Sequence, residues 1–443
     1  MALRNEHLTD DFRQAPFWWD AIVSASASIQ DAPLPRQVDV VVVGAGLTGV
    51  EAARALAVAG RRVIVVDAGT PGRGASTRNA GQIGRNFKHS FGALCESVGM
   101  DLAKGYFQEL RAAYDAVALL GEEAGDAIGW RTCGRVVGAM SPAHLERLHT
   151  EYSLRARQLG EEVEFLDASA VSKELGSELY HGGVRILANG AIHPGMYYEF
   201  MRARSVAAGV SIIGQTAVTG VAGQQGAFEV HTARGTIRCE NVIVATNGYS
   251  GPAAPWFERR LAPINAYMIA TEPLSKEAWR AVLPRSRTYH DNRRRSHFMT
   301  FSPDGSRLLF GGRTGTHPFS LMKIAAQLHA DMGFIFPDLA DVRISHAWTG
   351  RCAATRDLFP HVGVNPQGLH YALGYCFSGN AMGPYLGRKV AAMILGNAEE
   401  AHTLFNRDQF PAMPLPTRGP WFMPMMLNYY AWADRPKGLA RAI

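Results

Sequence analysis

The sequence predicts an α/β protein of two domains, one built around a βαβ unit and the other around a mixed α+β sheet. Three observations predict it. Valines fill 38–43 around Asp39, then meet a glycine-rich turn, a helix-forming stretch at 50–57 and a second β-branched run at 63–66. A further buried-strand signal, 242–246, comes only far downstream. The length, 443 residues, exceeds what one ordinary core supports.

The elements follow in order. Residues 1–35 read as an extended arm that carries Phe17, Trp18 and Trp19. In 101–120 apolar residues recur at Leu102, Tyr106, Leu110, Ala113, Val117 and Leu120, the pattern of an amphipathic helix. Short strands and helices alternate through 128–190, and 258–345 carries strand-like pieces such as 308–310. Residues 374–395 open on glycine and end in a helix. The expected division is an arm (1–35), a first domain from 36–127, 191–257 and 346–400, a second from 128–190 and 258–345, and a packing segment at 401–443. Trp421, Phe422 and Trp432 in that last segment suggest either packing on the first domain, a dimer contact or a membrane contact.

Composition narrows the function. The net charge of +6 and the pI of about 9.1 suit either anion attraction or a plain solvated surface. Basic residues cluster only at Arg293, Arg294 and Arg295, which gives nucleic-acid binding little support. The five cysteines are widely spaced with no CxxC, so neither a disulfide framework nor a metal site is indicated and a reducing cytoplasm is expected. The polar start lacks a secretory core, and no apolar run is long enough to span a membrane.

The chemistry starts at the first glycine turn. Gly44, Gly46 and Gly49 are spaced as GxGxxG around Ala45, Leu47 and Thr48, and Asp67 with Ala68 closes the second strand. Gly44 permits a tight turn, Gly46 lets backbone N–H groups approach a pyrophosphate, and Gly49 lets helix and strand pack. Asp67 is placed to accept from ribose hydroxyls, and the helix N-terminus favours an anion. This spacing alone does not separate FAD from NAD.

The next stretch, Gly74, Ala75, Ser76, Thr77, Arg78, Asn79, Ala80, Gly81 and Gln82, makes the difference. Together with the GxGxxG turn and Asp67 it resembles the FAD-dependent amine and amino-acid oxidases of the D-amino-acid oxidase superfamily, nearest the γ-glutamylputrescine oxidase branch. The resemblance implies a Rossmann-type FAD-binding domain of the glutathione-reductase-like second family, with this loop under the pyrophosphate and Ser76 and Arg78 as phosphate donors. It continues through Val218, expected beside adenine, and through Ala245, Thr246, Asn247 and Gly248, expected to close over the FAD. Gly379, Asn380, Ala381 and Met382 would open the helix aimed at the flavin, where the family commonly has Gly-His-Gly. His193 stands where the family has an acid before Pro-Gly, and reads as a base or as a helix cap.

The resemblance also implies the substrate side. Arg293, Arg295 and His297 would share one strand face, ready for a substrate carboxylate, or would form a solvated basic strand. Trp348 is a further substrate-binding candidate, and Arg85, His297 and Arg351 are the candidate catalytic residues; Arg351 is also expected beside the cofactor. Cys352 reads as a flavin attachment point or a packing thiol, and non-covalent FAD is the expectation. The implied reaction oxidises a small, carboxylate-bearing amine to an imine, with dioxygen as acceptor. A dehydrogenase using another acceptor, or a nucleic-acid-associated flavoprotein, are the alternatives; oligomeric state stays open.

Overall fold

The computed structural model describes residues 5–22, 33–86, 88–282, 284–293, 296–315, 320–414 and 425. Arg295 and the aromatic run at 421–432, apart from Met425, therefore lie outside the described residues.

The valine runs form a six-stranded sheet in the order Ser211–Ile213, Val63–Val66, Val40–Val43, Asn241–Val244, His370–Leu373 and His361–Val364. All neighbours are parallel except the last pair. Successive side chains enter opposite layers, which explains why the strands are apolar throughout. Val40, Val42, Val63 and Val65 pack under the helices Leu47–Val58, Met100–Ala124 and Gly379–Leu395. Val41, Ile64, Val66, Val242 and Val244 instead meet Phe228, Val230 and Ile237 of a three-stranded meander. The helix Met100–Ala124 buries Tyr106, Leu110, Ala113 and Val117 as the periodicity predicts, while Leu102 stays on the solvent side.

A nine-stranded mixed sheet forms the second layer. Its order is Leu8–Arg13, Ile344–Ala354, Ala262–Thr271, Leu308–Gly315, Phe298–Phe301, Thr288–Asp291, Arg135–Gly138, Gly182–Ile186 and Val163–Asp167. The helix Leu321–Ile335 covers one of its faces with Ile324, Leu328 and Met332.

Two placements differ from expectation. The N-terminal arm is an edge strand paired in parallel with Ile344–Ala354. Beyond it Trp18 is buried and its indole N–H donates to the Asn79 carbonyl at 2.8 Å, while Trp19 donates to Thr77 Oγ1 at 2.9 Å. Amphipathic rings with one donor each need such partners when buried. The strand Ile344–Ala354, expected from 346 onward in the first domain, is laddered along its length with Ala262–Thr271 of the larger sheet. It meets the first domain from its middle onward, at Trp348 and Thr349 through Arg78 and at its far end, where a Cβ on Gly248 would lie 2.6 Å from the Cys352 carbonyl oxygen.

Candidate functional site

The glycine turn sits between the two sheets, and its three glycines answer to different neighbours. Gly44 has φ +106°, and a Cβ there would lie 2.9 Å from the Ala245 carbonyl oxygen. At Gly49 a Cβ would overlap the Gly44 carbonyl oxygen at 2.0 Å. Both glycines are demanded by packing alone. Gly46 is different: its Cβ would meet only Ser76 Oγ, at 3.1 Å, and the residue borders a cavity. Gly46 is also the N-cap of Leu47–Val58 and supplies no side-chain cap. A helix start that borders the cavity without a capping side chain is suited to an anion. Ser76 Oγ accepts the Leu47 N–H at 3.1 Å and closes one edge of that cradle. Asp67 accepts from Ala45 N–H at 2.8 Å and Gly69 N–H at 2.9 Å, and each carboxylate oxygen keeps lone pairs for further donors.

The loop that follows is pinned from several sides. Asn79 Oδ1 accepts from Gly81 N–H at 2.8 Å and from Asn380 Nδ2 at 2.8 Å, which ties the loop to the helix Gly379–Leu395. The segment that leads into that helix is fixed to the helix Leu47–Val58 by the Tyr375 and Thr48 hydroxyls, 2.8 Å apart. Asn247 Oδ1 accepts the Gly374 N–H at 2.9 Å and joins the strand ends. Arg78, expected to donate to phosphate, is otherwise engaged. Its Nε donates to the Arg73 carbonyl at 2.8 Å, its Nη1 to the Thr349 carbonyl at 3.1 Å, and the guanidinium lies over the Trp19 ring.

One cavity of about 1290 Å³ runs from this turn to the larger sheet. It is larger than a typical single-ligand pocket, so it has room for a cofactor and a substrate together. Most expected cofactor residues border it, from Gly44 and Asp67 through Ser76 and Gln82 to Val218, Thr246, Arg351 and Asn380. Ala45, Gly49, Gly81, Gly248 and Met382 do not; their places are in the packing behind its wall.

The substrate side departs further from the expectation. Arg293 is not on a strand but in the turn between Thr288–Asp291 and Phe298–Phe301, so no alternating face forms. Its Nε donates to Asp291 Oδ2 at 3.0 Å and Nη2 joins the same carboxylate, so its charge is already balanced. His297 is buried behind the cavity wall, with Nε2 3.0 Å from Asp331 Oδ2 and Nδ1 3.4 Å from Asp291 Oδ2. Burial opposes its protonation, but the two carboxylates outweigh burial and raise its pKa. Burial would likewise raise the Asp291 carboxyl, yet His297 and Arg293 hold it well below the usual range. Trp348 is buried away from the cavity and donates to the Arg78 carbonyl at 3.0 Å. Arg85 does not border the cavity either and stacks over Tyr114. Of the catalytic candidates Arg351 alone borders it, over the Tyr249 ring.

Arg293 does border the cavity, and the wall also holds residues that sequence reasoning passed over: Arg135, Glu151, Tyr152, Arg155 and His290. Burial, then the charge of Arg135, pushes the His290 pKa down to about 3, so its imidazole is neutral. Arg155 is paired with Glu161 at 2.8 Å, and Glu151 accepts the N–H groups of Phe91 and Gly92. An arginine inside the apolar run 135–138 was the one visible signal, because a charge in a doubly buried strand needs a reason.

His193 is the N-cap of Pro194–Ala207: its Nδ1 accepts the Met196 N–H at 3.1 Å, and burial lowers its pKa to about 4. It does not border the cavity, so the cap is the role its geometry gives it. Cys352 does border the cavity, but burial pushes its thiol up to about 12 and its Sγ lies 3.5 Å from the Ile264 carbonyl oxygen.

Comparison with known proteins agrees with this geometry. The family described as FAD dependent oxidoreductase matches residues 39–393. The chain is 30% identical over 424 residues to a probable oxidoreductase, OrdL, of Rhizobium meliloti (strain 1021), covering 94% of this chain and 97% of that protein. It is 29% identical over 399 residues to the gamma-glutamylputrescine oxidoreductase of Escherichia coli (strain K12), covering 90% and 93%. Among solved structures, glycine oxidase from Geobacillus kaustophilus superposes with a TM-score of 0.69 at 21% identity, over 86% of this chain and all of that one.

Proposed function

The chain belongs to the FAD-dependent oxidoreductase family, of the amine and amino-acid oxidase type, and we propose that it oxidises a small amine carrying a carboxylate, with dioxygen as the acceptor. The observation that carries this reading is the single cavity that joins an uncapped glycine turn to a wall bearing a buried arginine. The residues fit FAD on structural grounds, since Gly46 leaves a cradle that a larger side chain would fill and Asp67 keeps acceptor capacity toward it. FAD held there would supply the hydride acceptor for oxidising an uncharged amine to its imine, with water releasing the carbonyl product and dioxygen accepting the two electrons as hydrogen peroxide.

The chain's own residues bind, orient and exclude water. Gly46 and the first-turn amides of Leu47–Val58 would hold the pyrophosphate, with Ser76 at its edge. Asp67 would receive ribose hydroxyls, and Val218 would border the adenine. Asn79 and Asn380, locked to each other, would fix the loop and the helix start that meet the ring. A helix N-terminus there favours negative charge, which is the charge a hydride acceptor develops. Neutral His290 and Tyr152 and the apolar Met268 and Phe298 line the far part of the cavity beside the charged Arg135, Glu151 and Arg155. The raised thiol pKa of Cys352 supports non-covalent binding, because the thiolate is the nucleophile that attachment would use.

The test is a screen of primary and secondary amines, each paired with its amide or decarboxylated analogue, followed by peroxide detection. Peroxide formed in step with amine loss, with the carboxylated member preferred, is the expected result. Turnover that needs an artificial electron acceptor and yields no peroxide would reject the oxidase assignment. Equal turnover of both members would reject the carboxylate.

A further inference from the structure

The carboxylated-amine reading leaves open what anchors the carboxylate, and the expected anchor, Arg293, is already neutralised by Asp291. We infer that Arg135, on the strand Arg135–Gly138, is the anion-binding residue of the cavity. This rests on the reading above and assigns its specificity to one side chain.

Arg135 is only 7% exposed, yet it borders the cavity. Its Nε is buried without a hydrogen-bond partner, and no carboxylate of the described residues is paired with it. The neighbouring charges are accounted for elsewhere, Arg155 by Glu161, Arg293 by Asp291, and Glu151 by the amides of Phe91 and Gly92. A buried cation without a counter-ion is costly, and an anion entering the cavity would offset that cost. Burial also lowers the Arg135 pKa, the direction expected when no anion is in place.

The geometry faces the cofactor side. A Cβ built on Gly84 would lie 3.3 Å from Arg135 Nη1, so the guanidinium rests against the segment that continues from Gln82, a residue of the same cavity. The same Cβ would lie 2.1 Å from Asn189 Oδ1, so a neutral amide, not a carboxylate, shares that side of the guanidinium. In the ladder Val137 pairs with His290, and both border the cavity, so Arg135 lies on the same face one pleat away. The planar fork of an arginine matches a carboxylate with two parallel hydrogen bonds, which a lysine cannot reproduce.

The test uses the FAD-loaded enzyme and its flavin absorption spectrum, titrated with straight-chain carboxylates from acetate to hexanoate and with the matching amides. The unaltered enzyme is expected to bind at least one acid more tightly than its amide. Arg135→Met should weaken that acid by roughly 10- to 150-fold, the equivalent of a lost charge-assisted bond, and leave the amide unchanged. Arg135→Lys should fall between. Arg293→Met should keep the preference. A second readout needs no ligand: Arg135→Met should melt no lower than the unaltered protein, because it removes an unpaired buried charge, and it should lose the rise in Tm that the acid gives. An intact acid preference in Arg135→Met and Arg135→Lys, or its loss in Arg351→Met instead, would overturn the anchor while leaving the carboxylate reading standing. No preference for any acid in the unaltered enzyme would overturn both.

Discussion

The Asp67 carboxylate receives the backbone N–H of Ala45 on Oδ2 at 2.8 Å, so the acid that closes the second strand also holds the glycine turn in shape. Its other oxygen holds Gly69 N–H at 2.9 Å. Asp67→Ala is therefore expected to strip two acceptors from the turn and weaken FAD retention by at least about tenfold, each lost bond being worth about 1 kcal/mol or more. Asp67→Asn keeps one good acceptor and should fall between. The ratio of flavin to protein absorbance after gel filtration, with FAD titration of the stripped protein, checks this; full retention in Asp67→Ala would remove Asp67 from the site.

The glycines of the turn separate folding from binding. Gly46→Leu should yield a folded protein without flavin, because its side chain would enter the cavity and meets little else. Gly49→Ala should instead lose stability, since its Cβ would overlap the Gly44 carbonyl oxygen at 2.0 Å. Circular dichroism and flavin content, measured together, distinguish the two. Flavin kept by Gly46→Leu would show that the turn is not the contact.

How much of this was legible follows from the range of each signal. The glycine turn, its strands and Asp67 are local, and periodicity with turn chemistry suffices to read them. Arg78 looked like a phosphate donor because sequence shows a donor but not the Thr349 carbonyl, which comes from a distant strand. The run around Arg293 looked like a free basic strand because Asp291 and Asp331 were not known to face it. Arg135 was passed over for the opposite reason: its meaning lies in a missing partner, and only packing shows that. The edge strand Leu8–Arg13 was invisible for want of alternation, its pairing being set by the partner strand.

The flavin should come away from the polypeptide on acid precipitation. Cys352 is the attachment candidate, and burial holds its thiol pKa up at about 12, leaving almost no thiolate at neutral pH. Yellow colour in the supernatant, identified as FAD rather than FMN, is the expected outcome. Colour that stays with the pellet, and is lost in Cys352→Ala, would establish the bond.

Acid stability should carry the signature of His193. Its folded pKa of about 4 lies below the roughly 6.5 of an unfolded histidine. The unfolded chain thus takes up a proton that the folded chain refuses. The contribution is intact above pH 6.5 and is lost as pH falls toward 4, at about 1.4 kcal/mol per pH unit and about 3 kcal/mol in all. His193→Asn retains an acceptor for the Met196 N–H but cannot titrate. Its unfolding free energy, followed by denaturant between pH 6 and 4.5, should therefore fall less steeply by about one proton. Identical slopes would mean that His193 is protonated in the folded state.

Arg293 is expected to matter for stability and not for choice of substrate. It bonds a fully buried carboxylate, Asp291, which His297 also approaches at 3.4 Å. Removing Arg293 leaves that buried charge with His297 alone, at a cost of up to about 3–5 kcal/mol. Because Arg293 and His297 hold the Asp291 carboxyl well below its usual range, the stability they bring is present above the unfolded carboxyl pKa and is lost in acid. Arg293→Ala should accordingly melt lower at pH 7 and show a weaker loss of stability on acidification. Its ratio of kcat/KM for carboxylated over uncharged amines should stay within a few-fold of the unaltered enzyme, since the guanidinium, although it borders the cavity, is already balanced by Asp291. Thermal melts at two pH values and paired kinetics measure both halves. A collapse of that ratio with unchanged stability would return Arg293 to the substrate, and would mean that the Asp291 pair opens when the amine binds.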